Sequence, residues 1–483
     1  MASRKAETVR DARDLELEVG PWGSDGMSRT MLESGVEVRL PDVIPGEEHR
    51  VRITHRSKGG PVLWAESLAL LAPGPAGKQR RLPPCPIHGA CGACGIQHVN
   101  DAAQLPLKVE SALAVLPESL RRVVQKPAQQ DDRRYSFGYR HKAVFLPAVA
   151  DGRLLLGGFR RGSHEVIDLP DCAVLAPALA QARGQLLEAL GELLVEQAQR
   201  VAAPGTSPKQ EGAAAALRCV IARANRLGEV LLCAVVNDHA ARLWLEAPLA
   251  KLVAQPGPIV GCSMQVFSSA GDAVAGSAPE IHLSGHSTIR EELGAAALQL
   301  RPLDFFQVNP FALSQLSSLL NERLLSLPER PLRVLDLYCG GGALGLALAA
   351  AAPGEVLLTG LDIDARAISS ARRDAQANSI EAVFESGAAA DLLPVLMKER
   401  GPFDVVIVDP PRRGLRPEAT EEILSTGAKS LFYLSCHSPS LARDAQLLEA
   451  GGYRITALWP VDMLPQTPHL EWLAAFVREA SEG

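Results

Sequence analysis

From Pro302 onward, apolar runs of strand length alternate with stretches of helical apolar spacing. Arg333 to Leu337, Glu355 to Leu361, Val383 to Glu385, Phe403 to Val408 and Ser430 to Leu434 read as strands. Their largely unbroken apolar character is that of parallel strands covered on both faces. The segments running to Ala351, from Ala365 to Asn378 and near Glu418 to Ser425 read as helices. Regular alternation of this kind predicts a doubly wound α/β sheet, Rossmann-like in topology. Upstream the pattern changes. Gln129 to Leu300 mixes short strands, such as Ala143 to Leu146 and Val230 to Val236, with an Ala/Leu-rich helix around Ala176 to Ala198, and predicts an α+β domain. Leu15 to Leu71 has short alternating segments, Val36 to Leu40 and Val51 to Thr54, set between Gly and Pro turns. That spacing predicts a small β-barrel of the OB type.

The run Ala72 to Gly77 is rich in Pro and Gly and predicts a boundary. The expected domains are therefore 15–72, 83–300 and 301–483. His98 to Val124 is mostly helix-compatible, with Leu105, Val109, Leu113 and Leu116 apolar and Pro106 and Pro117 as interruptions, and could pack on the last domain. Ala202 to Gly212 is polar and breaker-rich, and reads as a surface loop without chemistry.

At 483 residues and 47% hydrophobic content the chain has material for two or three cores. No apolar run reaches the roughly 18 to 20 residues that span a bilayer, and Met1 to Asp14 lacks the apolar core of a signal peptide. A cytoplasmic location without membrane attachment is the expectation. Nine cysteines, several clustered, suit metal or catalytic roles in a reducing compartment better than a disulfide framework. The net charge of −6 argues mildly against a nucleic-acid partner if charge were uniform. It is not uniform. Arg50, Arg52, Arg56, Lys58, Lys78, Arg80, Arg81, Arg121, Arg122, Lys126, Arg133, Arg134, Arg140, Lys142, Arg160 and Arg161 gather in the first third, where a basic surface could hold phosphate.

Four strand ends carry candidate chemistry. Asp336-Leu-Tyr338-Cys-Gly340-Gly341-Gly342-x-x-Gly345 follows one strand and opens a helix, as small residues must where a backbone approaches a ligand. Alone it would serve NAD, FAD, S-adenosylmethionine or a tight turn. Asp362 ends the next strand, placed to bond ribose hydroxyls, whereas Asp336 departs from the dinucleotide fingerprint and suits a sulfonium and amino-acid ligand. Asp409-Pro410-Pro411-Arg412 ends a third strand, and the paired prolines hold the carboxylate of Asp409 at the sheet edge. Cys436 follows the fourth, either as an ordinary buried cysteine or as a nucleophile facing the ligand. A thiolate adding at C6 of uracil makes C5 nucleophilic toward a methyl sulfonium, and Glu471 is then a candidate base for the C5 proton. Cys85-x5-Cys91-x2-Cys94 with a distant Cys172 can hold iron-sulfur or zinc, and three clustered thiols with a remote fourth suit 4Fe-4S better. Cys219, Cys233, Cys262 and Cys339 read as packing residues.

These motifs together closely resemble the RNA 5-methyluridine methyltransferase family over almost the whole chain. Asp304 to Pro310 looks like the segment that leads into its methyltransferase domain, which implies Gln307 as a cofactor contact. Asp336 to Gly342 is similar to its cofactor loop and implies Tyr338, Gly340 and Gly342 at that site, with Asp362 standing where the family commonly has Glu. Tyr433 to Asp444 resembles the nucleophile motif and implies Cys436; Asp462 to Glu471 resembles the final motif and implies Glu471 as proton acceptor. The chain has His437-Ser438-Pro439 where the family usually follows its nucleophile with Asn-Pro, and no Asn near Ala343. Arg412 occupies the position of a second cysteine in related cytosine enzymes, so uracil is favoured. Leu40 to Gly46 resembles part of the TRAM domain, and the family resemblance also points to 4Fe-4S on the four cysteines. The resemblance implies S-adenosylmethionine-dependent methylation of uridine C5 in 23S rRNA or tRNA by a monomer. A catalytically reduced RNA-binding paralogue, or a methyltransferase for another base, are the alternatives.

Overall fold

The structure is a computed structural model and describes residues 14–74, 79–127, 136–201, 217–268 and 273–479. Lys78, Arg133, Arg134, the segment 202–212 and part of the linker at 72–77 lie outside the described residues.

The N-terminal sheet comprises β1 (Asp14–Glu18), β2 (Ser28–Met31), β3 (Glu37–Leu40), β4 (Glu48–Arg56) and β5 (Val62–Ala72), in the order β1-β4-β5-β3-β2. Only β3 and β5 run parallel. Residue alternation places Leu17, Val38, Leu40, Val51 and Ala65 together as its core. The chain leaving β1 returns against β2, with Arg29 N donating to Pro21 O at 2.8 Å and Gly20 N to Thr30 Oγ1 at 2.9 Å. The two outer strands thus approach each other and the sheet curls.

Helices α1 (Asp101–Leu113) and α2 (Glu118–Arg121) follow. Pro106 sits inside α1 without ending it. Leu116 and Leu120 are fully buried in a core that also holds Leu335, Val406, Leu431 and Trp472, so this segment packs against the C-terminal sheet.

The central sheet contains β6 (Lys142–Ala150), β7 (Arg153–Phe159), β8 (Val166–Asp168), β9 (Leu217–Ala224), β10 (Val230–Val236), β11 (Ile259–Val266) and β12 (Ile281–Gly285). Its order is β12-β11-β10-β9-β6-β7-β8, antiparallel except for β10 with β11. Helices α3 (Pro177–Val201) and α4 (Arg242–Ala254) pack on it: Leu179, Leu186, Leu190, Leu245 and Leu249 recur at helical spacing and are buried against the strands. A hairpin of β13 (Ile289–Leu293) and β14 (Ala296–Leu300) joins this unit to the next.

Asn309 starts α5 (Pro310–Leu325): its Oδ1 accepts from Ala312 N at 3.1 Å, and Pro310 supplies the fixed φ suited to a first helical position. The last sheet then alternates β15 (Leu332–Leu337), α6 (Ala343–Ala351), β16 (Val356–Asp362), α7 (Ala365–Ala377), β17 (Ala382–Ser386), α8 (Ala389–Arg400), β18 (Val405–Val408), α9 (Pro417–Ser425), β19 (Ser430–Ser435) and α10 (Ser438–Ala450). β20 (Tyr453–Val461) and β21 (Glu471–Arg478) complete it in the order β17-β16-β15-β18-β19-β21-β20. Five strands are parallel and β21 runs against both neighbours. The parallel strands were legible as expected; α8, α10 and the closing pair β20 and β21 were not assigned from sequence.

Candidate active site at the carboxyl edge of the parallel strands

The switch in strand order between β15 and β18 opens a crevice at the carboxyl ends, where open α/β sheets hold ligands. Asp336 lies next to the end of β15, Asp362 ends β16, Asp409 follows β18 and Cys436 follows β19. Glu471 arrives from the opposite direction. Because β21 is antiparallel to β19 with Ser435 opposite Trp472, one further residue brings Cys436 level with Glu471. Chain reversal thus places an acid from the last strand beside a thiol from the fourth.

The glycine turn is shaped for close approach. Tyr338, Gly340 and Gly342 have φ of 63°, 53° and 74°, a region in which a residue with a side chain is strained. A Cβ added at Gly340 or Gly341 would meet nothing within 4 Å, so the loop borders open space, whereas one at Gly342 would come within 2.8 Å of Phe384. Gly340 N and Asp364 N each donate to the Asp362 carboxylate at 2.8 Å, fixing its orientation. Gly345 N donates to Asp336 Oδ2 at 3.2 Å. Burial pushes the Asp336 carboxyl up to about 7, with Asp409 and Asp362 adding like charge. Gln307 is half-buried two residues ahead of the α5 cap, and its amide makes no hydrogen bond among the described residues.

Around Cys436 the charges oppose ionisation. Burial, then Glu471 and Asp409, push the thiol up to about 11, while Arg412 pulls it down. Burial and then Asp409 push Glu471 up to about 8, again moderated by Arg412. Burial alone raises Asp409 to about 6. Burial lowers the His469 imidazole to about 4, with Arg412 adding to the effect. His437 takes the N-cap position of α10 without a side-chain capping bond, but its Nδ1 lies 2.8 Å from Ser440 Oγ, which donates to Arg412 O at 3.0 Å. The Ser440 hydroxyl, held by the His437 imidazole, therefore links the Asp409 loop to α10.

The turn leading to Glu471 is anchored by residues the sequence reading passed over. Lys108, fully buried on α1, donates to Asp462 Oδ1 at 2.7 Å and to Leu464 O at 3.0 Å. Asn309 Nδ2 donates to Met463 O at 3.1 Å, and Tyr139 Oη to Pro465 O at 2.8 Å. Gln466, at φ 67°, receives Ile96 N on its carbonyl and Arg81 and Gln104 Nε2 on its side-chain oxygen, and gives its own amide to Asp101 and Ser136 O. Gln104, Lys108 and Ser111, at helical spacing on α1, are all buried. That polar stripe at positions i, i+4 and i+7 was the available signal, masked by the apolar residues counted beside it.

The four expected cluster cysteines come together from two remote segments. Burial first, then the neighbouring thiols, raise Cys94 to about 11 through Cys172 and Cys91, and raise Cys172 through Cys85 and Cys91. All four are half-buried and free of disulfides. Cys91 bridges to Arg160, and Gly92 N donates to Phe159 O at 3.3 Å, so β7 shapes the cradle. Cys219, Cys233 and Cys262 are buried in the central sheet, as expected of packing residues.

Much of the basic surface is ion-paired, the solvated arrangement with scattered counter-ions that such a cluster also allows. Arg50 pairs with Glu16, Arg52 with Asp14, Arg80 with Glu47, Arg81 with Asp101, Arg122 with Glu118, Arg160 with Glu165 and Arg161 with Asp42. Lys142 is spent on the carbonyls of Leu303 and Asp304. Acids from neighbouring strands and turns, invisible in a list of basic positions, neutralise much of that charge.

A crevice bordered by a glycine turn, a strand-end acid on the next strand and parallel strands capped by a reversed β21 defines a methyltransferase-type site. The methyltransferase small domain family matches residues 313–433. An RNA methyltransferase of Parasynechococcus marenigrum is 33% identical over 97% of this chain and 96% of its own length. One of Listeria monocytogenes is 32% identical over 80% and 82%. The chain belongs to the RNA methyltransferase family. The crystal structure of Pyrococcus abyssi tRNA (uracil-54, C5)-methyltransferase, a complex with S-adenosyl-L-homocysteine, shares the fold with a TM-score of 0.68 at 24% identity, covering 96% of this chain and 100% of that one. No helix among the described residues is long and apolar enough to cross a membrane.

Proposed function

We propose that the chain methylates uridine at C5 in a structured RNA, tRNA or 23S rRNA, with S-adenosylmethionine as donor. The observation that carries this reading is the pairing of Cys436 with Glu471 across β19 and β21, beside the strand-end acids. Open space at Gly340 and Gly341 and the oriented carboxylate of Asp362 fit a nucleoside-bearing cofactor, with Gln307, Asp336, Tyr338, Gly342 and Asp409 as further contacts. Bound there, the cofactor would supply an electrophilic methyl group. The ionised fraction of Cys436 adds through its thiolate to C6, C5 becomes nucleophilic and takes the methyl group, and the demethylated cofactor would leave as a neutral thioether. Glu471 then accepts the C5 proton, the C6–S bond breaks, and the thiolate returns. A carboxyl raised to about 8 is, once ionised, a stronger base than an ordinary carboxylate, so the transfer gains as pH rises toward 8. The other ionised groups near the pair also have roles. Asp409 raises Glu471 and so strengthens it as a base, and Arg412 offsets the negative charge that gathers around the thiolate.

The curled sheet of 15–72, with parallel β3 and β5, supports a TRAM reading; 83–300 and 301–483 are then the central and methyltransferase domains. Cys85, Cys91, Cys94 and Cys172 fit a 4Fe-4S cluster. A zinc ion would draw sulfurs to about 3.8 Å of one another, yet no three of these thiols lie within 4.8 Å among the described residues. The cluster would pin two segments. Incubation of the full-length protein with labelled cofactor and RNA from a deletion strain tests the activity by mass analysis of the nucleoside. Labelled 5-methyluridine is expected, and label on another base, or none, refutes the reading.

A further inference from the structure

The turn after β3 meets the cysteine segment at a cluster that methyl transfer does not use. Asp42, His88 and His98 each present one ligand atom, and the three atoms lie within 4.8 Å of one another. His88 Nε2 is 3.3 Å from Asp42 Oδ1. That is close to the roughly 3.3 Å between two donors held about 2.0 to 2.1 Å from one tetrahedral ion.

The tautomer of His98 is set by its surroundings. His98 is only 3% exposed, and its Nε2 lies 3.3 Å from Val43 O. A carbonyl oxygen only accepts, so the ring proton sits on Nε2 and the lone pair on Nδ1. That Nδ1 is buried without a hydrogen-bond partner, and so are both ring nitrogens of His88. Leaving a buried polar atom unmatched is unfavourable. A backbone carbonyl on the far ring nitrogen is also how metal-binding imidazoles are oriented. Two imidazoles and a carboxylate form the donor set of a borderline divalent ion, with a fourth position left for water.

Two guanidiniums stand nearby. Arg161 Nη1 lies 3.4 and 3.3 Å from the two Asp42 oxygens, and Arg80 Nη1 donates to Asp42 O at 3.2 Å. Glu47 neutralises Arg80 through Nε at 3.0 Å and Nη2 at 2.5 Å. Arg161 opposes a cation at Asp42 and can keep one carboxylate oxygen while the ion takes the other; Arg80 acts on His98, with Glu47 offsetting it.

We propose that Asp42, His88 and His98 bind a zinc-type divalent ion that fastens the N-terminal sheet to the cysteine segment. The site is distinct in its donors from the four thiols, although His88 lies between Cys85 and Cys91 in sequence.

The test uses full-length protein purified without oxygen, loaded with zinc sulfate and desalted. Metal content and zinc X-ray absorption are then measured. The expected result is about one zinc per chain with nitrogen and oxygen neighbours only, alongside undiminished iron. His88→Gln and Asp42→Asn should each weaken zinc binding at least about tenfold in competition with a chromophoric chelator, with iron content and circular dichroism unchanged. Asp42→Asn keeps the shape of the side chain, so it remains informative if a histidine variant misfolds. Zinc with sulfur neighbours, no zinc retained by the wild type, or equal retention in both variants would overturn the proposal.

Discussion

The two seven-stranded sheets of this protein use cysteine in opposite ways. In the central sheet Cys219, Cys233 and Cys262 lie within strands, buried, and burial pushes Cys219 up to about 12 and Cys262 to about 11. In the C-terminal sheet Cys436 lies one residue beyond a strand, half-buried, among Asp409, Glu471 and Arg412. Thiol acidity does not separate them, since Cys436 is also raised to about 11. Strand direction does. Parallel strands deliver their carboxyl ends to one edge, and the reversed β21 adds Glu471 there, whereas the mostly antiparallel central sheet gathers no such edge.

The sharpest test of that contrast is a pair of substitutions. Cys436→Ala should lower turnover by roughly four orders of magnitude or more while leaving cofactor affinity intact. Cys233→Ala should cost on the order of 1 kcal/mol of stability and leave the rate unchanged. Equal effects on rate would erase the distinction.

Glu471→Gln should slow turnover by about 10² to 10⁴ and leave an RNA-linked species on a denaturing gel, since Cys436 cannot depart until the C5 proton is taken. Full activity with no shifted band would remove Glu471 from its role. Its raised ionisation gives two trends of opposite sign. Turnover should rise as pH passes about 8, where the carboxyl becomes a base. Stability should fall as pH rises from about 4.5 to about 8, because the folded-state value lies above the ordinary 4.5: the contribution is complete below about 4.5 and lost as pH rises through about 8. Denaturant unfolding at pH 5 and pH 9 should show a smaller drop in Glu471→Gln than in the wild type.

Lys108→Met should destabilise the fold by about 3 to 5 kcal/mol by leaving Asp462 buried without its cation. Adding Asp462→Leu should recover part of the loss, and no recovery would mean that packing, not charge, matters there. The smallest effect concerns RNA gripped outside both sheets. Arg56 and Lys58 are exposed and bear no ion pair among the described residues. Removing both should reduce the log-log salt slope for single-stranded RNA by about 1.4; an unchanged slope would place RNA elsewhere.

The parallel core was legible because strands buried on both faces write themselves as apolar runs, as at Val405 to Val408. Asp336, Asp362, Asp409 and Cys436 were legible for the same reason, each standing where such a run stops. The anchors of the final turn were not, because Lys108 and Asp462 signal a contact only once folding joins residues 354 positions apart. The paired arginines were misleading in the opposite sense. Arg50 and Arg161 read as free charge until the strand carrying Glu16 and the turn carrying Asp42 were placed beside them.

The network around Gln466 joins positions up to 385 apart, from Arg81 near the start to a turn close to the end. A ribosome that has finished the thiol-bearing strand has still not delivered that turn. Until residues 462 to 471 are made, the growing chain therefore lacks the acid that opposes Cys436, and α1 has no partner for its Lys108 ammonium. Assembly of this centre waits for residues 462 to 471, and a product terminated before them lacks it however well the rest has folded.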